Sequence, residues 1–161
     1  MKLESMYQEI ILDHYRKPHH KGLREPFDAE VHHVNPTCGD EVTLRVRLSD
    51  DGRTVEDVSY ESLGCSISMA SVSVMTDLVV GKDLDDADAA YNAFLALMRA
   101  KGDTEALVAA DEELLEDAVA FEGVSKYPAR IKCALLGWMA WKDATAQAVA
   151  QQDRRMTEES A

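Results

Sequence analysis

The sequence predicts an α+β fold, a three-stranded antiparallel sheet covered on one face by helices. Two observations carry this. From about residue 27 to residue 63, apolar and polar residues alternate, which is the two-residue period of half-buried strands. On either side the apolar residues recur every three or four positions, as on amphipathic helices. The order is therefore helix, three strands, then helices, with no internal repeat and no composition shift that would mark a linker.

Leu3, Met6, Tyr7, Ile10, Ile11 and Tyr15 share one face of a helix from Leu3 to about Arg16, ended by Lys17-Pro18. His19-His20-Lys21-Gly22 is a loop. Phe27, Ala29, Val31 and His33 mark the first strand, broken by Asn35-Pro36. Val42, Leu44, Val46 and Leu48 mark the second. Asp50-Asp51-Gly52 is a hairpin turn, and Val55 to Leu63 returns as the third. After Cys65 the period changes: Ile67, Ala70, Val74 and Leu78 lie on a helix with Ser66 as its expected N-cap and Gly81 as its stop. Asp83-Leu84-Asp85-Asp86 caps the next helix, which turns Ala90, Phe94, Leu97 and Met98 inward and ends at Gly102. Glu112 to about Phe121 reads as a short acidic helix. Pro128 suits the first position of a last helix running to about Ala150. That helix places Trp138 in the core and Trp141 at its partly exposed edge. The expected organisation is one domain over residues 1–150, followed by a polar, flexible tail over 151–161.

Composition narrows the function. The chain has 161 residues, 46% of them apolar, which suits one domain with a real core. A net charge of −13 repels phosphate backbones and anionic lipid, so binding to nucleic acid or a membrane surface is excluded as the main role. No apolar run approaches the roughly 20 residues of a membrane span. Met1-Lys2-Leu3-Glu4-Ser5-Met6 has an acid where a signal peptide is apolar. The expected location is the cytoplasm, where thiols stay reduced. There are only three cysteines, Cys38, Cys65 and Cys133, and an odd count argues against a disulfide framework.

Each cysteine falls at an element boundary. Cys38 lies in the loop Asn35-Pro36-Thr37-Cys38-Gly39-Asp40 between two strands. Cys65 stands where a strand hands over to a helix, whose free N–H groups and dipole favour a thiolate. Cys133 is in the second turn of the last helix. Asp40 follows Cys38 by two residues, and Gly39 between them can take a positive φ that turns both side chains toward one ion. Three thiolates and a carboxylate suit zinc, which takes four S, N or O ligands. Arg130, one helical turn before Cys133, is placed to offset the resulting negative charge. Spacing alone leaves this level with three unrelated buried cysteines, because the gaps match no short zinc-ribbon rule.

Neighbouring residues read more plainly. Glu41 should point to the opposite strand face from Asp40. His32 and His33 read as ordinary strand and surface histidines. His19 and His20 belong to a basic loop that either contacts a partner or is solvated. Ser66, Ser68, Ser71 and Ser73 form no Ser/His/Asp arrangement, so a hydrolase is not expected.

Three segments, Asn35-Pro36-Thr37-Cys38-Gly39-Asp40, Gly64-Cys65-Ser66-Ile67-Ser68-Met69-Ala70-Ser71 and Lys132-Cys133, resemble in type and order the three cysteine motifs of the IscU/SufU family of iron–sulfur assembly proteins. With the opening helix and the strand hairpin, the resemblance covers about residues 5–145. Two details resemble the SufU branch. Lys132 stands where the scaffold branch has a His, and Tyr127-Pro128-Ala129-Arg130-Ile131 replaces that branch's Leu-Pro-Pro-Val-Lys motif. The segment between the second and third cysteines is also longer than in the scaffold branch.

The resemblance implies a SufE/NifU-like fold and a zinc-dependent sulfurtransferase. Its partners would be a PLP-dependent cysteine desulfurase of the SufS type and, downstream, an iron–sulfur scaffold complex of the SufB type. It further implies zinc on Cys38, Asp40, Cys65 and Cys133, Cys38 as the sulfur acceptor, and Arg130 assisting ligand exchange when the desulfurase offers a His to the metal. The competing expectations are a scaffold that binds a nascent cluster on the same cysteines, and a zinc-stapled interaction module without chemistry.

Overall fold

The computed structural model describes residues 3–101, 103 and 109–160. In chain order the elements are α1 (Leu3–Arg16), β1 (Ala29–Asn35), β2 (Asp40–Leu48), β3 (Val55–Leu63), α2 (Ser66–Val79), α3 (Leu84–Arg99), α4 (Ala109–Leu115), a 3₁₀ segment (Glu116–Lys126) and α5 (Pro128–Ser160). The strands form one antiparallel sheet in the order β1-β2-β3. Along β2, Asp40, Val42, Leu44, Val46 and Leu48 are buried while Glu41 and Arg47 are exposed, so one face of the sheet is covered and the other faces water. α5 lies across β1 and β2 on the covered face, and α2 packs between α5 and α1. The α+β class and the one-sided sheet are as the alternating and helical periods predict.

The core is apolar and aromatic. Phe94 of α3 stacks on Trp138 of α5 at 4.7 Å between centroids and meets Phe121 edge-on at 6.0 Å. Trp141 is as fully buried as Trp138, contrary to the expected exposed edge. Tyr91 explains this, since its ring lies 6.1 Å from that of Trp141 and closes over it from α3.

Other departures have local causes. β1 begins at Ala29 rather than Phe27, whose ring instead lies under the Arg45 guanidinium at 4.2 Å. The N-cap of α2 is Cys65, with Ser66 already the first helical residue. Asp83 caps α3 as expected, accepting from Asp86 N at 2.8 Å. Gly102, the expected stop of that helix, lies outside the described residues. The acidic helix ends at Leu115, because Glu116 takes φ +45 and the chain continues as a 3₁₀ segment.

The end of the chain departs most. α5 does not stop near Ala150 but continues to Ser160. The polar residues beyond Ala150 find partners in the sheet's turns. Gln152 is buried and donates from Nε2 to Ser49 O at 3.0 Å, and Arg155 pairs with Asp28 at 2.7 Å. Periodicity counts apolar residues and so misses a segment held by polar contacts.

α5 and α2 approach closely at Gly137. A Cβ there would stand 2.7 Å from Val72 Cβ. Helix propensity alone favours Ala by about 1 kcal/mol, whereas overpacking costs about 1–3 kcal/mol. Gly137→Ala is therefore expected to lower the thermal midpoint. Gly123→Ala, with nothing within 4 Å of the added carbon, should leave it level or raise it. Paired thermal melts check both signs.

Candidate metal centre

The centre is assembled at one end of the sheet by three chain turns. The β1–β2 register closes on Asn35↔Asp40, leaving a four-residue loop, residues 36–39, with Cys38 exposed near its tip. Asn35 O accepts from Cys38 N at 3.3 Å and from Gly39 N at 2.9 Å. Gly39 takes φ +71, the left-handed conformation that a side chain disfavours. Asp40, the first residue of β2, thereby faces the covered side and is fully buried, while Glu41 points to solvent.

β3 delivers the second cysteine. Gly64 and Cys65 lead directly into α2, and Cys65 is half-buried. Its N–H donates to Asp40 Oδ1 at 2.9 Å, which ties the carboxylate to the helix entrance. The third cysteine, Cys133 of α5, is fully buried, with Sγ 3.3 Å from Cys38 Sγ, 3.7 Å from Ala129 O and 3.9 Å from Asn35 Nδ2, which donates to it. All three cysteines are free thiols.

One ligand atom each from Cys38, Asp40 and Cys133 lies within 4.8 Å of the others. Cys65 is outside this tightest group, and its backbone bond to Asp40 Oδ1 sets it beside that group. In a tetrahedral site with bonds of about 2.0–2.3 Å, ligand atoms lie about 3.3–3.8 Å apart, and the Cys38–Cys133 sulfur pair at 3.3 Å matches that spacing.

The electrostatics call for a cation. Burial raises the pKa of the Cys133 thiol, and Asp40, Cys38 and Cys65 raise it further. Asp40 Oδ2 is buried and has no hydrogen-bond partner among the described residues. A buried carboxylate oxygen without a donor is costly. An ion ligated there would satisfy it and would hold the thiols as thiolates. The donor set of soft sulfur plus one oxygen fits zinc, and the orphaned oxygen is the structural sign of that fit.

The structure thus brings Cys38, Asp40 and Cys133 together, with Cys65 beside them. Arg130 is not in the cluster. It is exposed on α5 and lines an open groove with Tyr7, Ser66, Ile67 and Tyr127, on the Cys65 side of the centre. Lys132 is also exposed. His33 is drawn away by Asp143 at 2.8 Å, and His32 by Thr43 at 2.9 Å, so neither competes for the ion. Sequence reasoning missed Gly64 as a site residue. Its Cβ would collide with Asp40 Oδ1, a contact that exists only once β3 and β2 are paired.

Asp40→Ala removes one candidate ligand and a buried, half-satisfied carboxylate together. Zinc affinity is expected to fall at least about tenfold. The metal-free melting temperature should change little, because the lost cap to Cys65 N is offset by removing the orphaned oxygen. Zinc content after dialysis against a chelator, with a thermal melt, checks both halves.

The chain is similar in sequence and fold to known proteins. The family model described as the NifU-like N terminal domain matches residues 6–134. The zinc-dependent sulfurtransferase SufU of Bacillus subtilis is 41% identical over 146 residues, covering 90% of this chain and 92% of that one. The iron–sulfur cluster assembly scaffold protein IscU of Streptococcus pyogenes is 38% identical over 143 residues, covering 89% and 84%. Among solved structures, the SufU protein of Fervidobacterium islandicum, described as a scaffold for the SUF system, superposes with a TM-score of 0.73 at 31% identity, covering 89% of this chain and 99% of that one. A NifU-like N-terminal protein from Brucella abortus gives a TM-score of 0.76 at 27% identity, over 91% and 96%.

Proposed function

The chain belongs to the NifU-like N-terminal domain family of iron–sulfur assembly proteins, and from this premise we propose that it is a zinc-dependent sulfurtransferase, taking sulfur from a PLP-dependent cysteine desulfurase of the SufS type and delivering it to a SufB-type scaffold complex. The observation that carries the reading is the graded exposure of the cysteines: Cys38 exposed on a loop, Cys65 half-buried at a helix entrance, Cys133 fully buried. A sulfur acceptor must be reached by a partner, and Cys38 is the most exposed of the three.

Cys38, Asp40, Cys65 and Cys133 would hold the zinc. When bound, zinc keeps coordinated thiols ionised at neutral pH, where a free thiol of pKa about 8.5 is only a few per cent thiolate. The transfer itself belongs to Cys38. Its thiolate attacks the terminal sulfur of the desulfurase's cysteine persulfide. A new S–S bond forms to Cys38, the old one breaks, and the electron pair leaves on the desulfurase's cysteine as thiolate. A second exchange of the same form hands the terminal sulfur to the downstream acceptor. Cys38 stands on the short hairpin loop 36–39, whereas Cys65 caps α2 and Cys133 lies within α5. Arg130, exposed one turn before Cys133, is placed to steady negative charge at the rim while Cys38 is engaged.

Val34, Glu41 and Leu63 share one exposed cross-strand row on the open face of the sheet, at the end where Asp40 begins β2, and Tyr127 stands exposed at the start of α5. Exposed large apolar side chains such as these suit a transient protein partner.

The scaffold reading uses the same cysteines and is favoured by the names of several relatives. Lys132 weighs against it, since it is exposed and lysine is not among the side chains that ordinarily ligate such metals. The test is to add the zinc-loaded protein to a cysteine desulfurase with free cysteine. Saturable stimulation and one added sulfur by intact mass are expected. No stimulation and no added sulfur would overturn the transferase reading in favour of the scaffold, which anaerobic iron and sulfide loading would then report.

A further inference from the structure

A second cluster of ligating side chains stands apart from the cysteine centre, where the end of α1 and the following loop meet α2. One ligand atom each from His14, His19 and Asp77 lies within 4.8 Å of the others. The His14 and His19 rings are 4.5 Å apart between centroids, and His19 Nδ1 is 2.6 Å from Asp77 Oδ2. His20 adds a third imidazole. It takes φ +61, uncommon for a residue with a side chain, and this sets its Nδ1 3.6 Å from the other Asp77 oxygen and 3.0 Å from Thr76 Oγ1.

The cluster is held in place by contacts that do not themselves need an ion. Ser73 Oγ accepts from His19 N at 2.8 Å and lies 2.7 Å from Nδ1 of the buried His14. Tyr60 donates from its hydroxyl to His19 O at 2.9 Å, and Gly22 N donates to Tyr60 O at 2.8 Å. The loop is thus fixed to β3 and α2 with its imidazoles directed at Asp77. Groups orienting a ligand from behind are what a metal site needs besides its ligands. The surroundings favour positive charge. Asp117 Oδ2 faces His14 Nε2 at 3.7 Å, and His14 lies in the last turn of α1, at the negative end of the helix dipole.

We infer that His14, His19 and Asp77, with His20 beside them, form a second metal site for a divalent transition ion such as zinc. Imidazole nitrogens with one carboxylate select this class over magnesium or calcium, which take oxygen ligands. The ion would cross-link residues 14–20 to α2, the helix that begins at Cys65.

The experiment adds zinc to the protein carrying one equivalent. It follows the heat of binding and the ring ¹⁵N shifts of His14 and His19. The expected result is a second equivalent that shifts both rings, survives excess magnesium and raises the melting temperature. His19→Ala and Asp77→Asn should each weaken that event at least about tenfold, and Cys38→Ala should leave it in place. If the cysteine centre takes no zinc, the first equivalent should shift these rings instead, so the two readings fail separately. No zinc-dependent shift at either ring, or an added ion that leaves both unmoved, overturns the site. Because the ring shifts are read on the unaltered protein, misfolding of a variant does not blunt the test.

Discussion

Cys38→Ala is expected to abolish stimulation of a cysteine desulfurase, returning turnover to that of the desulfurase alone, while the metal-free protein melts as wild type does. The two halves follow from one fact, that Cys38 is exposed on a four-residue loop. Exposed substitutions away from caps and buried networks usually shift stability within about 0.5 kcal/mol. Truncating the side chain gives up the 3.3 Å approach of its Sγ to Cys133 Sγ, a weak thiol–thiol interaction. Activity is another matter, because neither remaining thiol can substitute. Cys133 is fully buried, and Cys65 is fixed at the entrance of α2. Steady-state turnover with alanine or sulfide as readout, beside a thermal melt, checks the pair. A variant that still stimulates would move the acceptor role elsewhere. A variant that loses stability without metal would favour a structural staple, for which metal affinity is folding energy.

Gly64→Ala should damage the centre from behind. The added carbon would collide with Asp40 Oδ1 and would stand 2.8 Å from Ser68 Oγ. Asp40 cannot retreat without giving up its bond from Cys65 N, and it is fully buried, so the chain itself must shift. Overpacking of about 1–3 kcal/mol plus one lost hydrogen bond of about 1 kcal/mol gives a destabilisation of about 2–4 kcal/mol. Zinc affinity should fall further than in Asp40→Ala, because both the carboxylate and the approach of Cys65 are displaced. Denaturant unfolding of the metal-free variant and a competitive zinc titration measure the two effects separately. Wild-type zinc affinity in Gly64→Ala would show that Asp40 is not held where the geometry has it.

Much of the fold was legible in the sequence because it rests on short-range periodicity. The bounds of α1 and β3 coincide with those read from the spacing of Leu3 to Tyr15 and of Val55 to Leu63. Asp83 was legible as a cap for the same reason, since its bond reaches only to Asp86. The reading failed where long-range polar contacts decide. Gln152 and Arg155 extend α5 by bonding to Ser49 and Asp28, residues more than a hundred positions away, and no local period reports that. His19 and His20, read as a partner-facing or solvated loop, are drawn onto Asp77 and Thr76 of α2.

By itself, the sequence determined the donor types and their setting: three thiols at element boundaries, Asp40 two residues from Cys38 with a glycine between, and a strongly acidic net charge. Those are properties of residue type and local backbone freedom. Only the tertiary structure decided which of these groups meet, how deeply each is buried, and which oxygen is left without a donor. The β1–β2 hairpin, the β3–α2 junction and α5 converge because the apolar face of the sheet must be covered. That packing carries Cys133 and Asp40 inward and leaves Cys38 at the surface. Exposure and convergence are set by the burial of residues far apart in the chain, so they enter only once the core has formed.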